Sequence, residues 1–123
     1  EKLQRGIGAV PLTSLSALGT AFANDVDPTL SFAQAVLALG QKGDVVLGIS
    51  TSGNARNVCA ALQVAGAMGL TSVAMTGEGG GKMGKIADIT LAVPERETYK
   101  VQQLHLPAYH AICAEVERVL FED

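Results

Sequence analysis

The chain predicts an α/β fold: a three-layer, doubly wound parallel sheet with helices on both faces. Three observations carry this. The run Val45-Val46-Leu47-Gly48-Ile49 is apolar throughout instead of alternating, as suits a strand covered on both sides. Short strand-like segments alternate with segments of helical period, in the order strand–helix–strand–helix–strand–helix. The connections between them are short, which favours parallel neighbours joined by helices. The length of 123 residues holds one domain, taken as residues 1–123.

The elements follow in order. Ile7–Leu15 is apolar and holds one candidate strand, Ala9–Leu12; Ser16–Ala23 fits either state. Asp27-Pro28 is a helix start, with an acceptor at the cap and proline where no amide donor is needed. Leu30, Ala33, Val36 and Leu37 continue the stripe, and Gly40 ends it. After the strand Val45–Ile49 and the loop Ser50–Asn54, Val58, Ala61, Leu62, Ala65 and Met68 recur at helical spacing up to Gly69. Thr71–Thr76 is the second strand. Gly77-Glu78-Gly79-Gly80-Gly81 reads as flexible connection, Lys82–Ala87 as a short helix, and Ile89–Val93 as a third strand stopped by Pro94. Val101–Glu122 is a last helix, with Pro107 inside it as a predicted kink.

Composition excludes several functions. Apolar residues make up 48% and charged ones 17%, so the chain buries a core. Aromatics are 4%, the net charge is −3 and no basic run occurs, so neither base stacking nor a phosphate-backbone footprint is expected: no nucleic-acid partner. No apolar run of about 18 residues reaches across a membrane, and no leader opens the chain, which points to the cytoplasm. Cys59 and Cys113 fall in helical patterns without metal spacing, as buried, reduced thiols would.

Ligands of open α/β sheets bind beyond the carboxyl ends of the strands. Ser50-Thr51-Ser52-Gly53-Asn54 lies there, between a buried strand and a helix start. Three hydroxyls, a close-approach glycine and the positive end of a helix dipole suit an anion. No Lys or Arg lies inside the loop, so its donors are neutral. Taken singly, Ser52 or Asn54 equally fits a plain helix cap. The glycine spacing of a Walker loop or a dinucleotide fingerprint is absent.

The stretch from Gly43 to Asn54 resembles the phosphosugar-binding signature of sugar isomerase (SIS) domains, and within them the phosphoheptose isomerase branch. Thr76-Gly77, Gly80-Gly81-Lys82-Met83 and Val101-Gln102-Gln103-Leu104-His105 with His110 are similar too, over about Asn24–Glu117. The resemblance implies a flavodoxin-like, Rossmann-like sheet. It implies interconversion of sedoheptulose 7-phosphate and D-glycero-D-manno-heptose 7-phosphate through an enediol, in a homotetramer with sites at subunit contacts. His110 would be the catalytic acid/base, Asp25 and Gln102 would contact the sugar, and Gln102 with His110 would be candidate zinc ligands. His105 reads as structural. Gln102 and His110 stand eight positions apart, about 12 Å along a straight helix, which points to a kink or to two subunits for one ion.

The chain also departs from the family. The opening segment that carries a His and the Glu base is not represented before Glu1, so an N-terminally incomplete SIS domain is expected to bind an anion yet catalyse poorly. Ala55 replaces a serine and Tyr99 an aspartate, while Glu78 replaces a lysine. The competing expectation is a non-catalytic SIS protein that senses phosphosugars or regulates replication initiation.

Overall fold

A computed structural model describes residues 4–121. Three parallel strands, β1 (Val45–Ser50), β2 (Thr71–Thr76) and β3 (Ile89–Ala92), lie in the order β1-β2-β3. Val45 pairs with Thr71 and Ser50 with Thr76, so β1 and β2 end level; Val73 pairs with Ile89. The helices are α1 (Ala23–Asp25), α2 (Ser31–Leu39), α3 (Arg56–Ala67), α4 (Met83–Ile86) and α5 (Thr98–Phe121). Glu122, the predicted end of the last helix, lies outside the described residues.

The start of the chain differs from expectation. No strand forms at Ala9–Leu12; Leu12–Ser14 is instead a 3-10 turn, with the Ser14 N–H donating to the Pro11 carbonyl at 2.9 Å. A strand needs a backbone neighbour to pair with. Here Leu12 packs sideways on the α2–α3 core, and Val10 stays 59% exposed. The ambiguous Ser16–Ala23 is helical, with a π-helical turn over Leu18–Phe22. Asp27 caps as its type suggests, accepting from the Thr29 N–H and hydroxyl, both at 2.7 Å. It caps a 3-10 turn, Pro28–Leu30, that runs into α2. Gly40 ends α2 in extended rather than left-handed backbone.

Two core clusters lie on the α3 face of the sheet, and Met75 of β2, in register with Ile49, is buried on the other. Val36 of α2 meets Ala61 and Ala65 of α3 and Leu70; Cys59 and Leu62 meet Ala74 of β2 and Met83 of α4. Val46 of β1 touches both groups. Gly48 explains the closeness of α3 to β1, since a Cβ there would stand 2.7 Å from Val58 Cγ1. Burying a leucine such as Leu62 is worth about 2 kcal/mol.

The opposite face of β1 is bare among the described residues. Val45, Leu47 and Ile49 alternate with the covered Val46 and Gly48, and Ile89 of β3 is exposed as well. The unbroken apolar run predicts two covered faces, and the described helices cover one. α5 begins three residues earlier than predicted and passes Pro107 without interruption. It buries Val101 and His105, while Leu106, Ile112, Val116, Val119 and Leu120 are exposed. Cys59 is buried, whereas Cys113 is exposed, against the expectation of two buried thiols, because the far half of α5 has little to pack on. No helix among the described residues is long and apolar enough to cross a membrane.

Candidate functional site

The turn from β1 into α3 is built around Gly53. Its N–H donates to the Ser50 carbonyl at 3.0 Å, and its φ of +66° is one that residues with a Cβ rarely adopt. Ser52 Oγ accepts from the Asn54 N–H at 3.1 Å and lies 3.5 Å from Ser50 Oγ. Ser52 is exposed; Ser50 and Thr51 are half-buried. The hydroxyls therefore stand at the surface, beyond the carboxyl end of β1.

Neither Ser52 nor Asn54 caps α3. The cap position is Ala55, which offers no side-chain acceptor; of the first-turn amides of α3, that of Val58 donates to Asn57 Oδ1 at 2.9 Å, while those of Arg56 and Asn57 have no side-chain acceptor among the described residues. The Asn54 carboxamide is engaged on both sides: Nδ2 donates to the Ser52 carbonyl at 2.9 Å, and Oδ1 accepts from the Lys82 N–H at 3.0 Å. Asn54 thus shapes the loop from within. It also brings the backbone of Lys82 to the site, and Arg56 opens α3 beside it. Both cations are exposed. The loop's own sequence shows only neutral donors. Lys82 lies far along the chain, and only the fold brings it near.

The glycine segment after β2 is a fitted wall, not the flexible connection its composition suggests. The Gly77 N–H donates to the Thr51 carbonyl at 3.0 Å, and the Met83 N–H to the Gly53 carbonyl at 2.9 Å. A Cβ on Gly53 would lie 2.3 Å from the Gly80 carbonyl oxygen, and one on Gly81 would lie 2.6 Å from that of Gly53. The two loops interlock because both lack side chains at the crossing. Glu78 pairs with Arg96 at the rim.

Below the site, Asp88 latches β3's approach to β2. Its carboxylate accepts from the Ser72 N–H at 2.7 Å and the Ser72 hydroxyl at 2.8 Å. These bonds hold the Asp88 carboxyl below its usual range. At the other end of β2, His105 Nε2 lies 2.9 Å from the buried Thr76 carbonyl, in keeping with its structural reading.

The remaining residues singled out in the sequence stand apart. Asp25 ends α1, exposed, and accepts from Asn24 Nδ2 at 2.9 Å. Gln102 and His110 are exposed on α5, His110 beside the Tyr109 ring at 5.1 Å between centroids. Among the described residues no hydrogen bond or ion pair joins Asp25, Gln102 or His110 to the serine loop. Gln102 and His110 are the two candidate zinc ligands within the described residues. Catalytic zinc takes about three protein ligands. Gln102 and His110 are two, and the described residues contain no group of three His, Cys, Asp or Glu placed to hold a metal.

The chain is similar to known proteins in sequence and in fold. The SIS domain family model matches residues 15–116. A phosphoheptose isomerase of Thermodesulfovibrio yellowstonii is 44% identical over 117 residues, 95% of this chain and 58% of its own length. That of Burkholderia pseudomallei is 43% identical over 116 residues, 94% of this chain and 59% of its own. The solved phosphoheptose isomerase of Neisseria gonorrhoeae superposes with a TM-score of 0.82 at 39% identity, over 85% of this chain and 60% of that one. The chain spans little more than half the length of these relatives.

Proposed function

The chain belongs to the SIS domain family, and on that footing we propose that its serine loop binds the phosphate of a sugar phosphate. We further propose that the whole protein is a phosphoheptose isomerase. The observation that carries the reading is the start of α3: the hydroxyl cluster Ser50, Thr51 and Ser52 beside it, an N-cap position, Ala55, without a side-chain acceptor, and a backbone shaped by Gly53. The names of the relatives at 43–44% identity supply the substrate class.

Interconverting sedoheptulose 7-phosphate and D-glycero-D-manno-heptose 7-phosphate moves a proton between neighbouring carbons through an enediol. That takes a base at carbon and an acid at the carbonyl oxygen. His110 takes part in this transfer, since one imidazole nitrogen accepts a proton while the other donates one. Gln102 and Asp25 hold sugar hydroxyls. All three are exposed and unattached to the loop, which supports sites completed at subunit contacts of a homo-oligomer, a tetramer by resemblance. We place the reaction in the cytoplasm, where free sugar phosphates are made and used.

A second reading, a non-catalytic phosphosugar sensor, has one observation in its favour. No carboxylate is hydrogen-bonded to His110 among the described residues, and the exchange needs a second group. Turnover of sedoheptulose 7-phosphate by the full-length protein, followed by NMR, separates the two. His110→Ala is expected to lower turnover by about 10²-fold or more. Equal turnover in the variant rejects the role of His110. Binding without turnover in the unaltered protein selects the sensor.

A further inference from the structure

We propose that His105 is a positioning residue: its Nε2–H, donated to the Thr76 carbonyl, fixes the placement of α5, and with it Gln102 and His110, against the serine loop. The inference rests on the isomerase reading for its catalytic consequence, though not for its geometry. His105 is only 3% exposed, and Nε2 lies 2.9 Å from the Thr76 oxygen. A carbonyl only accepts, so the hydrogen sits on Nε2. The other ring nitrogen, Nδ1, is buried and without a partner among the described residues.

That orphan atom is informative. A buried polar atom without a partner is a cost that an apolar side chain of similar size avoids. Packing alone therefore does not account for a histidine here; the single directional bond does. The bond also ends at a telling place. Thr76 is followed by Gly77, whose N–H donates to the Thr51 carbonyl at 3.0 Å. A short covalent and hydrogen-bonded path thus runs from α5 through Thr76 and Gly77 into the hydroxyl loop. Val101, one turn earlier on α5 and fully buried, seats beside Gly77: a Cβ there would stand 3.0 Å from Val101 Cγ2. Val101 supplies adhesion without direction, and His105 supplies register along the helix axis. Register matters because a shift of about 1 Å in a proton-transfer group costs up to about 10²-fold in rate.

The test uses the full-length protein and the variants His105→Leu, His105→Met and His105→Gln. Because Nδ1 has no partner among the described residues, glutamine, whose terminal N–H2 reaches the place of Nε2, supplies the one bond that the histidine makes there. The apolar variants are expected to lower kcat by about tenfold while the Kd for inorganic phosphate stays within about twofold; glutamine restores kcat to within about threefold. Spin labels at Arg56→Cys and Gln103→Cys, on a Cys113→Ser background, report the placement of α5 directly. Their distance distribution broadens in the apolar variants and narrows again with glutamine. NMR of the unaltered protein shows a slowly exchanging proton on His105 Nε2. Absence of that proton, an unchanged distance distribution in the folded apolar variants, or failure of glutamine to restore it overturns the proposal. Absence of any isomerase activity rejects the catalytic reading instead, and the label distances still decide the role of His105.

Discussion

The serine loop and α5 are built on opposite plans. The loop is held from every side by its own chain: Gly53 against Gly80, Thr51 against Gly77, Asn54 against Lys82. α5 is attached through its first two turns, at Val101 and His105, and then runs on with Ile112, Val116 and Val119 exposed. The half of the site proposed to bind the anion is thus braced within these residues, whereas the half proposed to transfer the proton presents its groups outward. Binding needs rigid donors, which one chain can preorganise. Chemistry on a sugar several carbons long needs groups brought from farther away.

Substitutions break that contrast in graded steps. Gly53→Ala forces a Cβ into the Gly80 carbonyl at a positive φ. It is expected to cost about 3 kcal/mol in urea unfolding and to abolish sugar-phosphate binding in calorimetry. Wild-type stability there would show that the interlock yields. Ser52→Ala removes one exposed hydroxyl and leaves the fold; with about 1.5 kcal/mol for a bond to a charged oxygen, affinity falls about tenfold, and equal affinity removes Ser52 from the site. The Asp88–Ser72 latch sharpens the comparison through pH. The folded carboxyl titrates below its ordinary 3.8, so its contribution is complete above that value and disappears as pH falls through the lower, folded value. Unfolding midpoints of wild type should therefore drop more steeply below about pH 4 than those of Asp88→Asn; parallel curves would refute the latch. The smallest effect belongs to α5: Val119→Ala, at a side chain 62% exposed, should change the stability of this chain by no more than about 0.5 kcal/mol. A larger loss in the full-length protein would show that the residue is covered there.

Legibility followed the same division. Strand β2 reads from Thr71–Thr76 directly, and β1 and β3 to within one residue, because β-branched and apolar runs bounded by glycine or proline carry local information. The hydroxyl loop was legible for the same reason: its residue types stand together in sequence. What escaped depends on contacts between distant segments. The glycine tract looked loose because nothing local reveals that Gly53 and Gly81 cross. Ala9–Leu12 looked like a strand because an apolar stretch shows what can be buried but not whether a pairing partner is at hand. The approach of Lys82 to Asn54, the exposure of Cys113 and the bond from His105 to Thr76 are likewise products of the packed fold.

The bare face of β1 has a practical consequence. Among the described residues β1 is also an edge strand, with one row of backbone donors and acceptors unpaired beside Val45, Leu47 and Ile49. An exposed apolar edge is a template for another strand. Prepared alone at high concentration, these residues will bind amphiphilic dyes and coalesce into cross-strand aggregates, and a charged residue at Leu47 is the gatekeeper that should keep them dispersed.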